Sequence, residues 1–584
     1  MKTIAHFFEK SLPIFISMLC ILLTGLLFFF IALNTGYFFN QLFKIYGLSL
    51  TGFFSAILTG TLAVTVYLNI LSIFTKTDYW LLVVPLVFSC GNFFKAHFQF
   101  WLREKTNQNI ELLFSKNNLL ITLPFLFVIA LFTIVPPYNT DSSGYHFLSI
   151  KWNENFAAVP GLTNLFPQFG YNSSFMVLSA AFSFTEIFHQ SIYPINTVLT
   201  SLFFLWILKK SFQYNTVKRL IIVLFLFVLL RQFPINLASP SADSLASILV
   251  FYVLFSVFEM DEKSSLKNDW PYLLLLSSFA IIIKLSTLPL LLVGLLPFLK
   301  RTNSFKAILL SYLKLLPLLF ILIVPWLIRN VILSGYLIFP FPTVDLFSFD
   351  WKVPFDVAMG EKIHITQGAR MAGEDWVAVS NMSFYQWFPK WIPNVWSDNH
   401  FNFILLVSGL LSPLLIINFY LIKKQLLHYF FLAFCIAYTG IIFWMMTSPD
   451  IRFGYHYLLL SLLFPIILLV NQFDKFLNLN KGYFHKTVTA ISLVGCIYYG
   501  TIAINFLQPY SIQSILIRPF ISVEYKKNND LKSSKFVMLK NNTKLYIHDS
   551  LHHSINAPLP SCSPYRKGIA MRGNKLQDGF KTQP

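Results

Sequence analysis

Residues 271–299 read PYLLLLSSFAIIIKLSTLPLLLVGLLPFL, an apolar run broken by a single charge, Lys284. One straight helix through this stretch would hold the ammonium in hydrocarbon at a cost of a few kcal/mol or more. Two short helices meeting at Lys284, with Pro289 just beyond, avoid that cost. Broken helices at membrane depth are tolerated where they line a cavity. The stretch therefore predicts a helical membrane protein with an interrupted span.

The rest of the chain agrees. Of its 584 residues, 56% are hydrophobic and 12% charged, about half the charged fraction of a soluble domain. Apolar runs recur at 12–34, 48–74, 79–101, 118–135, 192–208, 220–237, 244–258, 307–328, 401–422, 428–447, 454–472 and 487–507. With 271–299 counted as one span or two, the expected fold is an all-α polytopic bundle of about 12–14 transmembrane segments. The run from Leu12 is too long for a typical signal peptide, lacks a small-residue cleavage site, and is read as a retained helix. The net charge of +19 reflects cations in short loops between apolar runs rather than a nucleic-acid surface. No C-x-x-C pair occurs among the five cysteines, which argues against disulfides and structural zinc.

Sidedness follows from the cations. They cluster at Lys209, Lys210, Lys218 and Arg219; at Lys300, Arg301 and Lys306; at Lys423 and Lys424; and at Lys475, Lys481 and Lys486. Placing all four clusters in the cytoplasm puts 136–191, 236–243, 336–400 and 448–453 on the opposite face. The alternation works only if 271–299 turns back at Lys284. The same count puts the N-terminus and the tail after Gln508 outside. The expected units are N-terminal helices to residue 117, a core of helices over 118–335 with a first external loop at 136–191, an aromatic-rich external loop at 336–400, helices over 401–507, and a small external tail over 508–584. Within the second loop, Met382–Trp396 mixes aromatic residues and prolines, as segments lying in the headgroup zone do.

This topology decides which polar residues can meet. Asp141 lies in PPYNTDSSGYH, Asp243 in SPSADSL, Lys284 at the break, Arg329 and Asn330 in PWLIRNVILSG, and Arg452 in TSPDIRFGYH. Any one of these, alone, reads equally well as a snorkelling or capping side chain. Two acids and three cations on one face suit a phosphate handled beside lipid: cations hold its oxygens and a carboxylate takes a proton from an acceptor hydroxyl. Glu154 is a second acid in the first loop and is read as a surface residue. His552 and His553 lack a third ligand at metal spacing. No P-loop or Gly-rich dinucleotide loop occurs.

These motifs resemble the GT-C superfamily of integral membrane glycosyltransferases, which use polyprenyl-phosphate-linked sugars. Asp141 with Tyr145 and His146 looks like that family's first-loop acid. Pro240, Asp243, Ser244 and Leu245 look like its second acid, opening a later helix. The lysine of IIIKLSTLPL, the Pro325, Trp326, Arg329, Asn330 and Gly335 stretch, and Pro449 with Arg452 follow in order. The resemblance covers roughly 130–472. It implies Asp141 and Asp243 as catalytic acids and Tyr145, His146, Lys284, Arg329, Asn330 and Arg452 as substrate-binding residues. It also implies a divalent metal at Asp243 as an option, a polyprenyl-phosphate sugar donor, an envelope glycan, lipid or protein acceptor, and inverting transfer on the extracytoplasmic face of the cell membrane. W-W-D and D-x-D stretches are absent, and four spans precede the Asp141 loop where the family pattern has one. YHFLSIKWNENFAAVPGLTNL and the ending PLPSCSPYRKGIAMRGNKLQDGF are similar to a group of bacterial multipass proteins of unsettled activity. A transporter or flippase of a lipid-linked saccharide, or a glycan polymerase or ligase, would use the same residues.

Overall fold

The computed structural model describes residues 2–43, 52–135, 139–188, 191–214, 217–260, 269–299, 304–371, 373–423, 428–473, 481–508, 535–539, 543–547, 558–562 and 568–582. Among them, nine helices are long and apolar enough to cross a membrane, and three shorter apolar helices cover Asp243–Phe258, Trp270–Ile283 and Leu285–Leu299. The chain is a multipass helical membrane protein.

The run expected to span over 79–101 does not form one straight helix. Tyr79–Phe93 and Ala96–Leu113 meet at 85°, with Lys95 extended between them. Arg103, Glu104, Lys105 and Glu111 in the second arm give it too much charge to follow the first into hydrocarbon. The first two helices, Lys2–Phe43 and Phe53–Leu71, cross at backbone contact instead. A Cβ added to Gly36 would lie 1.7 Å from the carbonyl oxygen of Ala56, and one added to Gly60 1.7 Å from that of Ala32. Small residues four apart on both helices permit this approach, the usual way apolar helices gain packing energy in lipid.

The interruption at Lys284 is present. The helix Trp270–Ile283 ends there with Lys284 in extended backbone, and Leu285–Leu299 continues as a 3-10 helix containing Pro289 and Pro297, which remove amide donors. The Tyr312 ring meets both Trp270, at the start of the first arm, and Phe298, near the end of the second. The arms therefore run antiparallel, and Lys284 sits at the tip of a helical hairpin.

The end of the bundle at that tip carries a cap that is not purely helical. In the tail, Lys535–Met538, Lys544–Ile547 and Ser561–Cys562 form one small sheet, and Ile569–Met571 pairs with Phe580–Thr582. These strands have no separate core among the described residues. Leu545, Met571 and Phe580 share one with Trp152, Leu162 and Phe166 of the first loop. Gly161, at φ 65°, is closely covered: a Cβ there would lie 2.1 Å from the carbonyl oxygen of Phe580. Asn164 donates to the carbonyls of Trp351 at 2.8 Å and Phe580 at 3.3 Å, so one amide joins both long loops and the tail. In the second loop, the helix Phe384–Asp398 buries Trp387, Trp391 and Val395 and turns Phe384, Tyr385 and Trp396 outward, an amphipathic split suited to the headgroup zone expected for it.

Described cations of the loop clusters lie at the other end. Lys210 pairs with Glu259, just past the end of the helix that Asp243 opens. Within the helix Phe305–Ser334, Lys306 and Arg329 lie about 35 Å apart along the axis. In a chain whose native cysteines are replaced, Glu374→Cys should react with an impermeant thiol reagent on intact cells, and Ser304→Cys should react only after permeabilisation. The reverse pattern would invert the orientation, and equal labelling would contradict the two-ended arrangement.

Candidate functional site

One cavity of about 680 Å³ opens at the capped end of the bundle. Asp141, Tyr145, His146, Asp243, Lys284, Arg329 and Arg452 all line it. Of the eight residues singled out in the sequence, Asn330 alone lies outside the lining. It is buried and its Oδ1 accepts from Asn172 Nδ2 at 3.1 Å.

Buried amides set the positions of the two acids. Asn139 accepts from the amide of Asp141 at 3.0 Å and donates to Asn236 Oδ1 at 2.7 Å. Asn196 donates to the carbonyls of Asn236, Ser239 and Ser241, and the hydroxyls of Ser142 and Ser239 hydrogen-bond directly. The first loop and the turn before Asp243 are thus tied together by buried polar groups, whose hydrogen bonds are costly to leave unmade.

Each acid has a cation. Arg452 Nη1 lies 2.8 Å from Asp141 Oδ2, across 311 positions of sequence. Lys284 Nζ donates to Asp243 Oδ1. Phe453 stands between the pairs, its ring centroid 3.9 Å from Lys284 Nζ and 4.6 Å from the Arg452 guanidinium. A ring face attracts both cations and supplies no proton acceptor that would compete with the carboxylates. Asp450 adds a more distant contact, 3.8 Å from Arg452 Nε.

Arg329, which the resemblance implies as a substrate-binding residue, lines the cavity and is also held within the protein. Its guanidinium is buried and bonded at all three nitrogens: Nε donates to Asn172 at 3.1 Å, Nη1 to the Ser72 hydroxyl at 2.7 Å, and Nη2 to Asn153 at 2.9 Å. No ion pair includes it among the described residues. One planar fork therefore joins the end of the second helix, the first loop and the Phe305–Ser334 helix, while leaving an uncompensated positive charge in the cavity wall.

Tyr145 and His146 occupy a single π-helical turn, Ser142–His146, a local widening frequent at functional sites. Burial pushes His146 down to about 4 against the pull of Asp141 and Asp243, so the imidazole is neutral at pH 7. Burial, aided by Asp141, holds the Tyr145 hydroxyl well above its usual range, keeping it a donor. The Tyr145 ring meets the edge of Tyr171, whose hydroxyl donates to Glu361. Glu154 does not line the cavity. It accepts from Ser183 and Thr185, and burial raises its carboxyl.

Ser72, Asn153, Asn172, Glu361 and Phe453 are site residues that the sequence did not single out. The apolar periodicity around Phe453 carries no sign of its role, but its place beside Arg452 is a signal that could have been used. For a metal the donors do not fit: no group of three or more His, Cys, Asp and Glu side chains lies close enough among the described residues, and Asp141 and Asp243 are each held by a cation. His552 and His553 lie outside the described residues, as do Pro136 and Pro137.

Fold and site together define a polytopic helical membrane protein with a charge-paired cavity at one end. The chain belongs to the family described as Domain of unknown function (DUF8201), whose model matches residues 18–459 and so takes in every cavity acid and cation named above. No curated protein and no solved structure matches the chain.

The Arg329 geometry makes a specific prediction. Lysine cannot reproduce three divergent N–H bonds, and hydrogen bonds to a charged group are each worth about 1.5–3 kcal/mol. Arg329→Lys and Arg329→Met should both lose about 3 kcal/mol or more of stability, read as a clear drop in melting temperature in detergent. Wild-type melting of both would return Arg329 to a ligand-facing role alone.

Proposed function

We propose that the protein is a membrane glycosyltransferase that moves a sugar from a polyprenyl-phosphate carrier to an envelope acceptor on the extracytoplasmic face. The observation that carries this reading is the presence, in one cavity, of two carboxylates each paired with a cation, at a bundle end where lipid is at hand. Apolar side chains, Ile283, Leu285, Phe339 and Phe341, share the lining with the charges, which suits a ligand part isoprenoid and part phosphate.

In this reading the acceptor hydroxyl attacks the anomeric carbon and the carbon–oxygen bond to the carrier phosphate breaks. The proton passes to Asp141. Lys284 and Arg452 neutralise the charge that develops on the departing phosphate. Asp243 holds Lys284 in position, and neutral His146 with the Tyr145 hydroxyl offers uncharged hydrogen-bonding groups to the sugar. One base opposite one leaving group gives inversion. Arg329 contributes as a fixed positive charge in the wall.

The Lys284 hairpin favours a second reading, a transporter or flippase of a lipid-linked saccharide, because interrupted helices at membrane depth are common in transporters. Purified protein in detergent separates the two, since no compartments remain. Incubated with polyprenyl-phosphate monosaccharides and an envelope extract, the wild type should release polyprenyl phosphate. Asp141→Asn should lose about 10²-fold or more of that turnover, the scale of a positioned general base, without weaker carrier binding. Carrier binding with no turnover by the wild type would favour transport.

A further inference from the structure

We propose that the carrier phosphate itself frees the base, by taking Arg452 away from Asp141. The inference rests on the carrier-phosphate reading above and adds an order of events to it. A carboxylate in contact with a guanidinium is a poor proton acceptor, because protonation would leave the cation uncompensated in a partly buried site. With Arg452 Nη1 at 2.8 Å from Asp141 Oδ2, the carboxylate oxygen that would take the acceptor proton is occupied by a donor.

The two ion pairs are unequal in what else holds them. The Lys284 ammonium donates to Asp243 and lies 3.9 Å from the Phe453 ring centroid. Arg452 has donors to spare. Nη1 reaches Asp141, while Nε makes no hydrogen bond among the described residues and has only Asp450, at 3.8 Å, nearby. A guanidinium presents five donors in a fork that matches phosphate oxygens. Asp141, for its part, is held through its backbone. Its amide donates to Asn139, which is anchored to Asn236. Loss of Arg452 therefore leaves the carboxylate in place and unpaired. The exchange keeps the atoms and charges in balance. The phosphate replaces a carboxylate as the anion on Arg452, and Asp141 remains ionised until it receives the acceptor proton. Acceptor activation then follows donor binding, so the base is not exposed to chemistry before a donor is present.

A double-mutant cycle read by calorimetry on the full chain in detergent tests this, with farnesyl phosphate as the probe. Exchange predicts that Asp141→Asn tightens binding about tenfold, within the range of coupling for groups in contact, because no pair has to be broken. In an Arg452→Gln background the same change should have little effect. Equal tightening in both backgrounds would mean simple charge repulsion and overturn the exchange, as would weaker binding in Asp141→Asn. Failure of every form, wild type included, to bind the probe would instead overturn the carrier-phosphate reading beneath it. Inorganic phosphate, run in parallel, should bind more weakly than the isoprenoid phosphate. Equal affinity with the same cycle would leave the exchange standing and remove the lipid carrier.

Discussion

A lysine ammonium cannot be left alone in hydrocarbon, and the arrangement around Lys284 is the answer this chain gives. The span turns back at that residue, which shortens both arms and brings the charge to one end of the bundle. There it meets Asp243, the first residue of another short helix. Because that helix opens at the cavity, the turn before it must also be there. Asn196 and Asn139 then bind that turn to the first loop, which carries Asp141 to Arg452. One charge-burial constraint is thus followed through one interrupted span and one short helix to a pair of ion pairs that share a phenylalanine.

The parts of this arrangement legible in the sequence are those that lipid makes expensive. Apolar runs mark spans because each unsatisfied backbone group in a bilayer is costly, and the charge inside 271–299 marks a break for the same reason. Sidedness groups Asp141, Asp243, Lys284, Arg329 and Arg452, and all five line one cavity. What was not legible is carried by neutral groups. Arg329 looked like a free cation because its partners, Ser72, Asn153 and Asn172, are residue types that occur everywhere on loops and helix ends. Phe453 is one of 65 phenylalanines, and only its distance from two cations distinguishes it. The bend between Tyr79–Phe93 and Ala96–Leu113 escaped because the run over 79–101 reads as apolar, while Arg103, Glu104, Lys105 and Glu111 of the second helix lie beyond it. The tail strands, two to four residues long, are too short for a period-two pattern to register.

The tail nevertheless bears on the site. It lies beyond the span matched by the family model, yet Phe580 takes part in the core beneath the first loop and Arg572 reaches Asp350 at 2.9 Å and stacks over Trp351 in the second. The two long loops that wall the cavity are therefore joined partly through residues of the tail. Rigidity in those walls matters for a site whose chemistry depends on carboxylates held within hydrogen-bond reach of their partners.

The proposed function turns on a lipid phosphate entering the cavity between Lys284 and Arg452. The most direct measurement is a cryo-EM reconstruction of the full chain in lipid nanodiscs with polyprenyl phosphate added. The account predicts phosphate density within hydrogen-bond reach of Lys284 and Arg452, an isoprenoid chain leaving past Ile283 and Leu285, and an Asp141 carboxylate no longer in contact with Arg452. A lipid phosphate bound elsewhere on the molecule, with both ion pairs intact and the cavity holding only solvent, would contradict it.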